Sequence, residues 1–139
     1  MADKTGKTWM AIGETDDPNA LIETFVAGAA ITKGDPVYLS GDDTVSPAAA
    51  VQDCIGIAVK TVASGAPCPV LTEGRVKVKA GGAITAGKGV YGADASKRVL
   101  ALADINEGGT ATYSWTKKLG YAFETTTAAD DLLFIKVEK

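Results

Sequence analysis

Apolar and polar residues alternate over short stretches of this chain and never settle into a long helical period. The run Arg75-Val-Lys-Val-Lys79 alternates strictly, as a strand with one buried and one solvated face should. Other apolar runs are equally brief and end at turn residues: Pro36-Val-Tyr-Leu39, Gly89-Val-Tyr-Gly92, Ile55-Gly-Ile-Ala-Val59 and Leu132-Leu-Phe-Ile135. Strands recurring between such signals predict an all-β domain, a small barrel or sandwich. One short helix is expected, around Asn19–Thr24.

The strands repeat. Ala27, Gly28, Ala30, Ile31, Thr32, Gly34, Val37 and Tyr38 recur as Ala80, Gly81, Ala83, Ile84, Thr85, Gly87, Val90 and Tyr91, at a constant offset of 53 residues. Ile55-Gly-Ile-Ala-Val59 recurs as Leu119-Gly-Tyr-Ala-Phe123 at an offset of 64, and Cys68-Pro-Val-Leu-Thr72 aligns with Leu132-Leu-Phe-Ile-Lys136 at the same offset. Two duplicated strand units follow, about 21–73 and 74–137, the second lengthened in the link Ala103–Lys117. Each unit reads as a strand ending at Ala-Gly, then an Ile-Thr-x-Gly turn whose glycine takes positive φ without steric cost. The Val-Tyr strand comes next, followed by an Asp turn (Gly41-Asp-Asp-Thr44 or Ala93-Asp-Ala-Ser96) in which side-chain oxygens bond nearby amides.

Residues 1–20 fall outside the repeat. They are polar and turn-prone apart from the cluster Trp9-Met10-Ala11-Ile12, and this pattern predicts an extended N-terminal arm ahead of a single β domain spanning 21–139. The start of the chain lacks the apolar stretch of a secretory signal, so synthesis in a cytosol is expected. There the two cysteines, Cys54 and Cys68, should remain free thiols.

Composition narrows the function. A net charge of −3 argues against nucleic acid, whose partners carry a basic excess. No apolar run approaches the ~20 residues that span a bilayer, so no membrane partner is expected. The chain has no histidine, which leaves a zinc site almost without ligands and catalysis without its commonest base. Neither a catalytic residue nor a cofactor or metal site is predicted.

Four motifs suggest chemistry, and each reads better as structure. Gly82-Ala-Ile-Thr-Ala-Gly87-Lys88-Gly89 nearly spells a phosphate loop, but Gly89 stands where the Mg²⁺-binding hydroxyl is needed. A strand and not a helix follows it, and the repeat places Asp35 at the position of Lys88. Thr5-Gly-Lys-Thr8 lacks the preceding glycine. Ser114-Trp-Thr-Lys117 fits the serine–lysine pattern of some acyl-transfer enzymes without its companion motifs. Asp42/Asp43 and Asp130/Asp131 cluster carboxylates as Ca²⁺ prefers, yet lack the regular oxygen spacing of a dedicated loop.

The motif Ala-Gly-x-Ala-Ile-Thr-x-Gly-x-x-Val-Tyr with a later Ile/Leu-Gly-x-Ala, present in both units over about residues 25–137, resembles the capsid decoration (cement) proteins of tailed double-stranded DNA phages. Pro36 against Gly89 and the longer second link depart from a strict repeat. The resemblance implies a non-enzymatic virion protein on the outer surface of an icosahedral capsid. Its partner would be the major capsid protein, and a homotrimer would clamp neighbouring capsomers against internal pressure. A head-fibre or glycan-binding adhesin module is the alternative, although the low aromatic content of 6% counts against a sugar site. On the decoration reading Trp9, Met10 and Ile12 of the arm, with Trp115 of the link, are the expected capsid or inter-subunit interface. The competing role for Trp9 is a lid on its own barrel.

Overall fold

The computed structural model describes residues 2–102, 105–107, 110–112 and 117–138. Its strands are β1 (Leu21–Ala27), β2 (Pro36–Gly41), β3 (Thr44–Pro47), β4 (Cys54–Ala58), β5 (Pro67–Lys79), β6 (Gly89–Gly92), β7 (Val99–Ala101), β8 (Ile105–Glu107), β9 (Thr110–Thr112), β10 (Lys118–Ala122) and β11 (Leu132–Val137). The fold is all-β. The helix expected at Asn19–Thr24 does not form: Leu21–Ala27 is extended and pairs antiparallel with β5 from Leu21↔Glu73 to Val26↔Pro67. Ile22, Thr24, Phe25 and Val26 are β-branched or aromatic, and such side chains suit a pleated surface better than a helix.

The first unit is a closed five-strand barrel. Strands β3, β2, β4 and β5 pair antiparallel in that order, β1 joins β5, and a parallel contact, Ala27↔Val45, ties β1 back to β3. The second unit repeats the ring with the latter part of β5, then β11, β10, β6 and β7. Its closure is one parallel bridge, Ala80↔Val99, the counterpart of Ala27↔Val45. The 13-residue β5 is therefore the last strand of one unit and the first of the next. The two-stranded β8–β9 hairpin occupies the longer second link.

Duplication extends to single hydrogen bonds. Ile31 bridges Val62 as Ile84 bridges Thr126, and the Gly34 N–H donates to the Ala58 carbonyl at 2.8 Å as Gly87 does to Ala122 at 2.8 Å. Both turn glycines have positive φ (96° and 85°), as the Ile-Thr-x-Gly pattern predicts. The barrel interiors match residue for residue. Ala27, Ile31, Val37, Val45, Ala58, Val62, Cys68 and Val70 fill the first. In the second, their counterparts Ala80, Ile84, Val90, Val99, Ala122, Thr126, Leu133 and Ile135 are all buried. Thr126, in place of Val62, satisfies its hydroxyl by accepting from the Ile84 N–H at 3.0 Å and donating to the Gly82 carbonyl at 2.8 Å, as a buried polar group must.

One element of the sequence alignment shifts. Ala58 pairs with Val70, and its equivalent Ala122 pairs with Ile135, so the final strands correspond at an offset of 65 and not 64. The turn at Thr127–Asp131 carries one residue more than the turn at Ala63–Ala66. A one-residue slip in a strand exchanges its two faces, so the corrected register decides that Leu133 and Ile135 point inward.

Cys54 and Cys68 are both buried and not joined in a disulfide, and burial, reinforced by the nearby Asp35 charge, pushes the Cys68 thiol pKa up.

Candidate docking surface

Residues 2–14 contribute no strand, but they are laid along the second unit as a strap. The Leu132 N–H donates to the Ala2 carbonyl at 2.7 Å and the Lys4 N–H to the Leu132 carbonyl at 2.8 Å, extending the sheet at the start of β11. Further on, the Gly13 N–H donates to the Lys77 carbonyl at 2.7 Å and the Lys77 N–H to the Glu14 carbonyl at 3.1 Å. Alternation of 75–79 predicts a solvated face for Lys77, yet its side chain is fully buried beneath this strap. The ammonium has three donors, and three acceptors meet it: the Asp3 carboxylate, the Lys7 carbonyl at 3.0 Å and the Met10 carbonyl at 2.9 Å.

Asp131 holds the end of the strap. Its carboxylate accepts from the backbone N–H groups of Thr127, Ala128 and Ala2 at 3.1, 3.1 and 3.2 Å. The Thr127 bond lowers its pKa most, burial opposes, and the Ala128 and Ala2 bonds add to the net lowering. For Asp3 burial alone would raise the pKa, but hydrogen bonds from Lys77 and Thr5 together outweigh it and the shift is downward.

Pinned in this way, the strap lifts a turn, closed by the Met10 N–H on the Lys7 carbonyl at 3.1 Å, and raises Trp9 away from the barrel. Trp9 is 76% exposed, so it is no lid on its own core. Between this turn and the first unit runs an open groove of about 480 Å³, lined by Trp9, Met10 and Glu14 on the strap and by Ile22, Lys33 and Val59 on the barrel. Lys33 and Glu14 bridge it with an ion pair of 2.7 Å. Ile22 on the groove wall is 46% exposed, and Leu21 and Val26 of β1 and Leu39 of β2, elsewhere on the first unit, are exposed to a similar degree.

The interface residues expected from the sequence therefore separate. Trp9 stands on the groove rim, and Met10 lines the groove while its carbonyl holds Lys77. Ile12 is half-buried, its Cγ2 in the space a side chain at Gly34 would need. Trp115 lies outside the described residues, as do Ser114 and Thr116. Of the suspected ion ligands, Asp131 is occupied by backbone donors and Asp130 pairs with Arg98 at 3.1 Å. Among the described residues no group of three or more potential ligands gathers for a metal. Lys88 follows a turn that leads directly into strand β6, so the glycine-rich run carries no helix to receive a phosphate. Lys77, Asp3 and Ile22 escaped the sequence reading as site residues, and Asp131 entered it only as a suspected ion ligand. A lysine in the middle of an alternating strand gives no sign of what will cover it.

The paired rings, shared strand and strap are the setting for a comparison with known proteins. The profile of the phage cement proteins matches residues 17–138. The chain belongs to the phage cement protein family. The matched span covers both barrels of this cement protein and begins just beyond the strap. No curated protein matches the chain. Among solved structures, the head fiber gp8.5 N base of bacteriophage phi29 is similar, with a TM-score of 0.56 and 18% identity over 86% of this chain and 94% of that one. At that identity the likeness is one of fold. Cement proteins and head fibres are both phage head components, so the family places this chain among phage structural proteins.

Proposed function

We propose that this cement protein binds the outer surface of an icosahedral capsid, contacts the major capsid protein and stabilises the shell, acting as a homotrimer without catalytic activity. Family membership supports the capsid as partner, and the observation that carries the reading is the exposed Trp9 on the rim of an open groove. Among the described residues nothing covers that ring, and large aromatics are the residues that dominate protein interfaces. A ligand that binds only the assembled lattice stabilises it by mass action, and three copies of the docking surface on one trimer would multiply affinity through effective concentration. Trp115 joins the proposed interface from the second link.

The test is cosedimentation of the purified chain with undecorated shells, together with the melting temperature of those shells. Binding with a raised melting temperature is expected. Failure of the chain to sediment with shells sinks the reading.

A second reading comes from the likeness to the head fiber base: the chain could serve as the foundation of a projecting fibre. Electron microscopy of decorated shells separates the two, because a clamp gives a low knob and a fibre base gives a density that projects from the shell.

A further inference from the structure

The duplicated fold contains one strand edge that is covered in the second unit and open in the first. Lys77 of β5 corresponds to Thr24 of β1, at the offset of 53 residues that also relates Gly81 to Gly28. Toward the closing side of the second barrel, the Lys77 N–H and C=O are taken by Glu14 and Gly13 of the strap. The next bond on that side runs from the Gly81 N–H to the Val99 carbonyl at 2.7 Å.

In the first unit the same side of β1 is engaged at Val26, whose N–H donates to the Asp43 carbonyl at 2.9 Å, and at Gly28, which donates to Val45 at 2.8 Å. Backbone N–H groups of a strand point the same way at every second residue, so the Thr24 N–H faces this side too. Its other neighbour agrees, because Thr24 lies opposite Pro69, which has no N–H to offer. The parallel pairing with β3 covers only Val26 and Ala27. Among the described residues, no partner meets the Thr24 N–H and C=O on that side. An unpaired edge of this kind is a template for an added strand.

We infer that an extended segment of the capsid subunit adds as a strand to the open β1 edge at Thr24, occupying in the first unit the place that the chain's own strap fills in the second; this rests on the capsid-binding reading above. The side chains around the edge define the occupant. Ile22, Thr24 and Val26 share one face of β1 and Leu21, Glu23 and Phe25 the other. Ile22 and Val26 are each 46% exposed. Glu23, Asp42 and Asp43 are also exposed, and the Asp43 carbonyl is the last acceptor before the edge opens. By the equivalence of Val45 with Val99 their counterparts in the second unit are Val76, Ser96 and Lys97, none an acid, and the acid of that second turn, Asp94, is paired with Arg98. The occupant is accordingly a segment that alternates apolar residues, set over Ile22 and Val26, with lysine or arginine, set against Glu23 and the Asp pair.

The experiment compares wild-type chain with Thr24→Pro and with the double variant Glu23→Lys/Asp43→Lys in binding to undecorated shells. Proline removes the outward N–H at Thr24, at an edge where proline is tolerated, and should weaken shell affinity at least tenfold while the chain's own melting temperature holds. The charge variant should weaken affinity to a similar degree at low salt and less at high salt. If Thr24→Pro does not fold, hydrogen exchange of the wild-type Thr24 amide decides: it should slow at least tenfold when the chain is shell-bound. A folded Thr24→Pro that binds like wild type, or an exchange rate unchanged by binding, overturns the strand addition and leaves the capsid reading standing. Undiminished binding of the charge variant overturns the basic occupant. Wild-type chain that does not sediment with shells overturns both the capsid reading and this inference.

Discussion

Asp3 and Lys77, 74 residues apart in the chain, form an ion pair in which the lysine side chain is wholly buried and the aspartate retains 15% exposure. That asymmetry makes the two partners unequal. Replacing Asp3 with alanine leaves an ammonium under the strap facing only the Lys7 and Met10 carbonyls, and an uncompensated buried charge costs about 3–5 kcal/mol. The strap can escape part of this by lifting off and letting water reach Lys77, so the loss should appear first as local opening. Asp3→Ala is expected to speed exchange of the Gly13 amide by roughly 100-fold, the equivalent of about 3 kcal/mol. Lys77→Met should do less, because the freed Asp3 can turn to solvent. Equal effects of the two would contradict the burial asymmetry.

Acid should release the same strap. The Asp131 and Asp3 carboxyls both have pKa values lowered by folding, so their stabilisation is complete above the unfolded carboxylate value of about 3.9 and is lost as pH falls through the lower folded values. Limited proteolysis at residues 2–10 should therefore accelerate below about pH 4, with the β sheet retained by circular dichroism. Asp131→Asn should move that sensitivity up to neutral pH, because the anionic acceptor of the Ala2, Thr127 and Ala128 amides is gone.

Asp35 carries the opposite sign. Burial raises its pKa, against the lowering effect of the Thr32 N–H, which donates to its carboxylate at 2.9 Å, and of the Lys97 charge. A raised folded pKa means that this group favours folding when protonated and that the benefit disappears as pH rises through the folded value. Asp35→Asn keeps an acceptor for Thr32 and removes the buried charge. The urea midpoint should rise at pH 7 and remain unchanged at pH 3; a fall at pH 7 would mean that the Lys97 pair at 3.9 Å outweighs desolvation.

Two glycines show how much of the fold was legible in the sequence. Ile55-Gly-Ile-Ala and Leu119-Gly-Tyr-Ala mark equivalent strands by motif alone, and the structure supplies the reason for the glycine. A Cβ at Gly56 would lie 2.2 Å from the Leu71 carbonyl oxygen, and one at Gly120 would lie 1.6 Å from that of Lys136. Both units bring neighbouring backbones together at this point, so repetition in the sequence reports repetition in packing. The strap's role was not legible in this way. Asp3 and Lys77 meet through a tertiary path that no local period encodes, and β1 reads ambiguously because its outward face carries the apolar Ile22 and Val26. The extra residue in the Thr127–Asp131 turn was hidden because Leu132–Ile135 is apolar throughout, and a continuous apolar run does not fix its own register.

The close approach at Gly120 gives a direct stability test. Gly120→Ala places a methyl group inside van der Waals distance of fixed backbone, and neither β10 nor β11 can move without disturbing the ring. Overpacking of this kind typically costs 1–3 kcal/mol and occasionally more; at a backbone contact the upper end, about 3 kcal/mol, is expected. Gly56→Ala should produce the same effect in the first barrel. A loss below about 0.5 kcal/mol in denaturant titration, the range of ordinary surface substitutions, would show that the strands part more easily than their register implies.

Trp9 separates binding from folding. With 76% of its surface in water, its truncation should change the chain's own stability by no more than about 0.5 kcal/mol. Burying such a ring against a partner removes ~150–250 Å² of mostly apolar area, worth at most about 4–6 kcal/mol at ~25 cal/mol/Å² before the cost of ordering the turn is subtracted. Trp9→Ala is thus expected to weaken shell binding by about 2 kcal/mol or more, roughly 30-fold, with an unchanged urea midpoint. Met10→Ala should cost less, since Met10 is half-buried already and holds Lys77 through its backbone. Shell affinity unaffected by Trp9→Ala would move the interface away from the strap, toward the β1 edge or the second link, while a fall in the urea midpoint would mean that the ring packs on its own barrel in solution.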